Sequence, residues 1–314
     1  MPYLEKNIRK RLESKLEPIN RSRPLSPAVV AKLRERFAME MTYNSNAIEG
    51  SRLSLKETYF VISQGITIKG KSLKDHLEAK DHYDALNYLY DLVEHGKKHT
   101  FSEVLIRSLQ QLIVRETEPS SAGAYRRGNV GITGSTHKPP EAHNVPRLMR
   151  ELVEWVIDKT KNLHPVELAA ITHHKLVSIH PFDDGNGRTA RLLMNLVLMQ
   201  AGYPLAIILK TDRKRYYDAL ERADRGDYKS FVRFVAQAVE RSLTLYLEAI
   251  GQVRSKGNRY LPFSTISPQT PYSGKYLNLL ARAGKIDAHK EGRIWVTTLD
   301  AILNYRNERE RKRK

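Results

Sequence analysis

The sequence predicts a mainly helical fold, and three observations carry that reading. Apolar residues recur at the spacing of one helix face through most segments. No extended alternation of apolar and polar residues, the strand period, occurs before Tyr125. The punctuation is that of helices: glycines at 50, 65, 96 and 202 stand where runs end, and Ser26 with Pro27 is a cap followed by proline at the first helical position.

In chain order, residues 1–24 are basic and partly helical and run into RSRPLSP, residues 21–27. PAVVAKLRERFAMEMTYNSN is a helix, after which Gly50 is placed to end a short one. SLKETYFVISQG ends at Gly65, SLKDHLEAKDHYDALNYLYDLVEHG is a longer amphipathic helix ending at Gly96, and FSEVLIRSLQQLIVRE is another. GAYRRGNVGITGSTHKPPEAHNV then breaks the pattern with Gly and Pro, and a short hairpin is expected near 129–136. PRLMRELVEWVIDK and PVELAAITHHKLVSI are helices leading to HPFDDGNGRTAR, residues 180–191, and TARLLMNLVLMQAG is a helix ending near Gly202.

The 180–191 stretch concentrates the chemistry. His180 is a candidate base whose ordinary pKa lies close to working pH. Asp184 offers the hard oxygen that Mg²⁺ prefers. Gly185, Asn186 and Gly187 let backbone N–H groups approach an anion at the start of a helix, where the dipole favours negative charge. Arg188 and Arg191 are three apart and share one helix face. Each part alone is ordinary, since a G-N-G is usually a turn and paired arginines are usually solvated. A base, an acid, an anion loop and two cations in twelve residues point to a nucleotide-handling site. His137, His173 and His174 lack the spacing and third ligand of a metal site and read as satisfied or solvated histidines.

At 314 residues, one large domain or two smaller ones are expected, and 40% hydrophobic residues suffice for a core. The net charge of +18 points to an acidic partner. It is uneven: residues 251–314 carry 14 Lys/Arg against 5 Asp/Glu, half of the excess in about a fifth of the chain. The absence of cysteine excludes disulfides, thiolate chemistry and Cys-based zinc sites, and fits a reducing compartment. The opening MPYLEKNIRKRLESK is charged throughout and unlike a signal peptide, and no window approaches a transmembrane length. A cytoplasmic protein without a membrane partner is expected.

Residues 180–191 resemble the motif of the Fic family, H-x-F-x-[D/E]-G-N-G-R-x-x-R, at every defined position. The likeness extends over about residues 40–250, and SNAIEG (45–50) is similar to the family's inhibitory motif, [S/T]-x-x-x-E-[G/N]. The resemblance implies a helical bundle with a short β-hairpin flap, and transfer of AMP from ATP to a Ser, Thr or Tyr hydroxyl of a target protein and of the chain itself. It implies His180 as base, Phe182 as a buried anchor, and Asp184 on Mg²⁺. Gly185, Asn186, Gly187 and Arg188 would take the phosphates, and Arg191 would meet the γ-phosphate or pair with Glu49 in an inhibited state that begins at Ser45. Ile132, Thr133 and Gly134 would form the flap that docks the target by β-augmentation. Tyr217 and Asp224 would line the adenine pocket, although a relative in the family has Asn where this chain has Asp224. A carboxylate there accepts hydrogen bonds without donating them.

GQVRSKGNRY reads as a linker, and the rest resembles a small winged helix-turn-helix of the excisionase type, with a wing whose tip is Glu291-Gly292 and Trp295 packed beneath it. Lys275, Lys290 and Arg293 are its candidate contacts to DNA or to a partner protein. The expected organisation is an N-terminal helical region at 1–95, a Fic core at 96–250 and this module at 256–314, with a homodimer left open. The leading expectation is an adenylyltransferase restrained by Glu49. The alternatives are a DNA-binding regulator with a nucleotide-sensing core, and an enzyme that removes AMP from a modified protein.

Overall fold

Two helices that bury most of their residues set the architecture: α7 (Pro165–Ile179) and α8 (Asn186–Gln200). Both are apolar around most of their circumference, the signature of a helix enclosed on all sides. The computed structural model describes residues 2–95, 101–251 and 259–311. Around the central pair lie α1 (Lys6–Arg21), α2 (Pro27–Glu49), α3 (Leu55–Gln64), α4 (Leu73–His95), α5 (Glu103–Val114), α6 (Val145–Lys159), α9 (Arg213–Asp224) and α10 (Tyr228–Ala249). Helix α8 packs against α7, α5, α4 and α2, while α1 and α9 lie on α10. One continuous apolar core joins all of these but α3, which lies on α2 and α4.

Helix α2 differs from expectation. It does not stop near residue 46 but runs unbroken to Glu49, from a Ser26 cap to Gly50 in the left-handed region at φ 115°. Ser45–Glu49 of the SNAIEG segment are therefore the end of a 23-residue helix, with Gly50 as its C-cap.

The expected hairpin near 129–136 is also corrected. Among the described residues this segment contains no strand; a single turn, Ser135 N–H to Ile132 O at 3.1 Å, marks its tip. Side chains replace the missing ladder. The buried Arg126 donates from Nη1 to Gly128 O at 2.8 Å and from Nη2 to Pro140 O, tying both arms of the loop together. Asn129 Oδ1 accepts from Ala142 N–H at 2.8 Å. Adjacent Pro139 and Pro140 supply no N–H to a ladder, so side-chain staples do that work.

The C-terminal unit has its own small apolar core. It comprises β1 (Leu261–Pro262), α11 (Phe263–Ile266), α12 (Gly274–Arg282), β2 (Ala288–Glu291), β3 (Ile294–Thr297) and α13 (Leu299–Arg311). The antiparallel sheet has the order β1-β3-β2, with Lys290 opposite Trp295. Ser273 caps α12 through Tyr276 N–H, and Trp295 stacks on Phe263 at 6.3 Å between centroids. The unit is tied to the body by polar contacts: Gln237 Nε2 to Ala281 O at 2.7 Å, Thr211 Oγ1 to Gly292 O at 2.9 Å, and Lys15 Nζ to Asp287 at 2.8 Å. Among the described residues no helix is long and apolar enough to cross a membrane.

Candidate active site

Helix α7 ends at His180, whose φ of 52° makes it the only non-glycine in the left-handed region among the described residues. That conformation is uncommon outside glycine and is held here by bonds on both sides. His180 N–H donates to Leu176 O at 2.9 Å, and Arg126 Nε donates to His180 O at 2.8 Å. Burial pushes the imidazole pKa below the ordinary histidine value; the Val177 carbonyl opposes this without offsetting it, and Arg126 adds to the lowering. A histidine of that kind stays neutral, and able to accept a proton, at neutral pH.

The loop after it is clamped from inside. Phe182 is fully buried against Tyr125, 5.7 Å between centroids. The Asn186 side chain accepts from Phe182 N–H at 2.9 Å and donates to Phe182 O at 2.7 Å. Its amide is thus spent on the loop, and anion binding falls to the backbone N–H groups that open α8, which have no partner within the helix. Gly185 has φ 82°, and a Cβ there would stand 3.0 Å from Val114 Cγ1 and 3.1 Å from Ile113 Cγ2. Gln110 supports the same turn, donating to Asp184 O at 3.0 Å and accepting from Gly123 N–H at 2.6 Å.

Charge is arranged around this helix start. Asp184 accepts from Gly185 N–H at 2.5 Å and from Arg188 Nη2 at 3.2 Å; its other oxygen makes only a 3.9 Å contact with Lys74 Nζ. Arg188, buried, also faces Glu78 of α4 at 3.2 Å. Burial pushes the Glu78 carboxyl up and Arg188 pulls it back. Arg191, fully buried, donates from Nε to Ser45 Oγ and from Nη2 to Ser45 O, both at 2.9 Å, and from Nη2 to Glu49 Oε1 at 2.7 Å. The same Glu49 oxygen lies 2.3 Å from where a Gly187 Cβ would be. The carboxylate therefore rests on the glycine at the mouth of α8, in the space an anion at this helix start would use.

The remaining expected residues are more dispersed. Tyr217 is partly open, with Arg213 over its ring at 4.9 Å. Asp224 is turned toward histidines: His174 Nε2 lies 2.8 Å from its Oδ1 and His137 Nδ1 3.8 Å. His137 also meets Ser178 O at 2.8 Å, and the buried His173 meets Tyr216 OH at 3.0 Å, so these histidines have partners in the fold. Ile132, Thr133 and Gly134 form the exposed turn of the loop. Lys275 and Arg293 are exposed. Lys290 is a correction: its ammonium is committed to Asp212 of the body at 2.5 Å, and Arg241 donates to its carbonyl, so the wing side it lies on is docked rather than free for DNA.

Sequence reasoning missed Glu78, Arg126 and Gln110. Glu78 had a signal: Asp75, Glu78 and Asp81 recur every three residues on one face of α4, and all three are buried. Arg126 and Gln110 had none.

Residues 100–198 match the family model described as Fic/DOC family. A Fic domain containing signaling protein from Bacteroides thetaiotaomicron superposes with a TM-score of 0.70 at 32% identity, covering 78% of this chain and 96% of that one. The chain belongs to the Fic/DOC family. Relatives named protein adenylyltransferase Fic are 40% identical over 207 residues in Nematostella vectensis and 36% identical over 253 residues in Aedes aegypti. These alignments cover 65% and 80% of this chain, and 48% and 50% of the relatives. The chain thus spans about half the length of the curated relatives it matches. In this Fic/DOC chain, the matched region ends within α8 and excludes α2, so Ser45 and Glu49 enter the site from outside it.

Proposed function

We propose that the chain is a protein adenylyltransferase whose helix α2 restrains it. A target hydroxyl attacks the α-phosphorus of ATP, His180 takes the hydroxyl proton, the bond from that phosphorus to the departing oxygen breaks, and pyrophosphate leaves. The backbone N–H groups of residues 186–188 and the Arg188 guanidinium hold phosphate charge, the main contribution a protein makes to this class of chemistry. Asp184 suits Mg²⁺: it is an oxygen donor beside the anion cradle with one oxygen free of short contacts. The ion supplies charge neutralisation on the phosphates. The turn at Ile132, Thr133 and Gly134, which pairs with no strand among the described residues, suits an extended target segment. Tyr217 is open to an adenine ring, whereas Asp224 is engaged by His174. The C-terminal unit, read as a module from about residue 256, would choose the target.

The observation that carries this reading is the position of Glu49. Its carboxylate, bound to Arg191, fills the anion space over Gly187, which is what a competitor of a phosphate would do. The test is incubation with labelled ATP and a lysate, comparing wild type, Glu49→Gly, and Glu49→Gly with His180→Ala. The wild type should label weakly and Glu49→Gly strongly. Adding His180→Ala should then lower labelling about 10²–10⁴-fold, the worth of a positioned base, with ATP still bound. Undiminished labelling by the double variant would remove His180 from the chemistry.

A further inference from the structure

The adenylyltransferase site does not use most of the positive charge. Part of that charge converges elsewhere. Between α9, α10 and the C-terminal unit lies a cavity of about 410 Å³, lined by Lys214, Arg215, Arg222, Arg233 and Arg282. Arg233 pairs with Glu5, and Lys290 at the cavity edge pairs with Asp212. Lys214, Arg215, Arg222 and Arg282 have no carboxylate within 4.0 Å among the described residues. One uncommitted acid, Asp218, shares the wall with them.

Arg215 is the most telling member. It is half-buried, lies over Phe234 at 5.2 Å and Trp295 at 5.7 Å, and donates to the neutral Gln237 Oε1. Burial lowers its pKa; Asp212 opposes this, and Arg282 and Arg233 add repulsion. Like charges beside an apolar wall repel more strongly than in open water. A multivalent anion entering there would replace repulsion by attraction, and the guanidinium fork matches phosphate oxygens. The volume is that of a small-molecule pocket.

We propose that this cavity is a second binding site, distinct from the cradle at α8, for a small polyphosphate anion. The two walls belong to different units: α9 of the body supplies Lys214, Arg215 and Arg222 and α10 supplies Arg233 and Phe234, while the C-terminal unit supplies Arg282 and Trp295. The ligand therefore bridges them, and a half-open cavity of this volume between two units suits a small anion.

The chain has two tryptophans, so Trp155→Phe leaves Trp295, in the cavity wall, as the sole reporter. This full-length variant is titrated with inorganic tripolyphosphate, without Mg²⁺, at physiological ionic strength, where exposed charges are screened over about 8 Å. Trp295 fluorescence should change saturably. Arg222→Ala with Arg282→Ala, both exposed positions, should weaken binding roughly tenfold or more, whereas Arg188→Ala should leave the Trp295 response intact. Three results would overturn the proposal: an unsaturable response, equal affinity in the Arg222/Arg282 double variant, or a response abolished by Arg188→Ala.

Discussion

The two arginine-rich regions of this molecule handle charge in opposite ways. At the start of α8 each guanidinium is answered from another element: Arg191 by Ser45 and Glu49 of α2, and Arg188 by Glu78 of α4 and the loop residue Asp184. At the seam with the C-terminal unit, Arg215, Arg222 and Arg282 converge with no carboxylate within ion-pair distance among the described residues. Matched charge makes a site whose ion pairs are already filled, even though Arg188 Nε and Nη1 and Arg191 Nη1 stay buried without a hydrogen-bond partner, so an anionic ligand must displace a carboxylate to enter. Unmatched charge makes a site that is incomplete until a ligand arrives. Removing a residue should therefore have opposite consequences in the two places.

The largest effect is expected at Glu49. Taking its carboxylate away frees Arg191 and the space over Gly187, so Glu49→Gly should raise autolabelling on the order of 10²-fold. That is the cost of an α-phosphate misplaced by about 1 Å. Arg191→Ala in that background should lower it again. Equal labelling by wild type and Glu49→Gly at saturating Mg·ATP would mean that the matched pair is merely structural.

Next comes Glu78→Gln, which removes the charge facing Arg188 and keeps the shape. A buried cation is left with Asp184 alone, and the loss should be on the order of 1–3 kcal/mol in a denaturant titration. An unchanged midpoint would show that Arg188 is matched by Asp184 without help from α4.

Acid should also act on the matched region. His82 and His173 are buried among helices, and burial, then Arg191, holds both pKa values well below 6.5. Folded pKa values below unfolded ones mean that the unfolded chain binds more protons as pH falls. Stability is thus full above about pH 6.5 and is lost progressively below it. Melting temperatures across pH 5–8 check this, and a flat profile through that window would contradict the burial of these imidazoles.

The comparison also separates what was legible in the sequence from what was not. The residues of the α8 start were readable because they are contiguous: base, acid, glycines and arginines fall within one turn-to-helix junction, and local geometry dictates their arrangement. The helices were readable from period and caps, down to the Ser26 cap of α2. The partners that answer those arginines were less so. Glu49 was reached through a resemblance, and Glu78 lies over a hundred residues from Arg188, joined to it only by the packing of α4 on α8. The loop at 123–145 was misread for a related reason. Its Gly and Pro content signals a turn, but whether the arms pair by backbone or by Arg126 depends on where one buried guanidinium lands. The docking of Lys290 on Asp212 is equally non-local, and a lysine read as free for a partner was already used.

The smallest predicted effect is the sharpest test of the contrast. Arg282 is exposed on the last turn of α12, has no carboxylate within 4.0 Å among the described residues, and adds repulsion to Arg215. If the seam is an unmatched cluster, Arg282→Ala removes a repulsion and breaks no ion pair. The stem of the side chain covers some apolar surface, and losing it works the other way. The balance should leave stability unchanged or raised by up to about 0.5 kcal/mol, the ordinary range for a surface change. The gain should shrink as salt rises, since screening already weakens the repulsion. Glu78→Gln under the same conditions should destabilise, so the pair of variants moves in opposite directions. A loss above about 1 kcal/mol for Arg282→Ala would instead mean that Arg282 makes a stabilising contact of the kind seen around α8, and the distinction between the two regions would collapse.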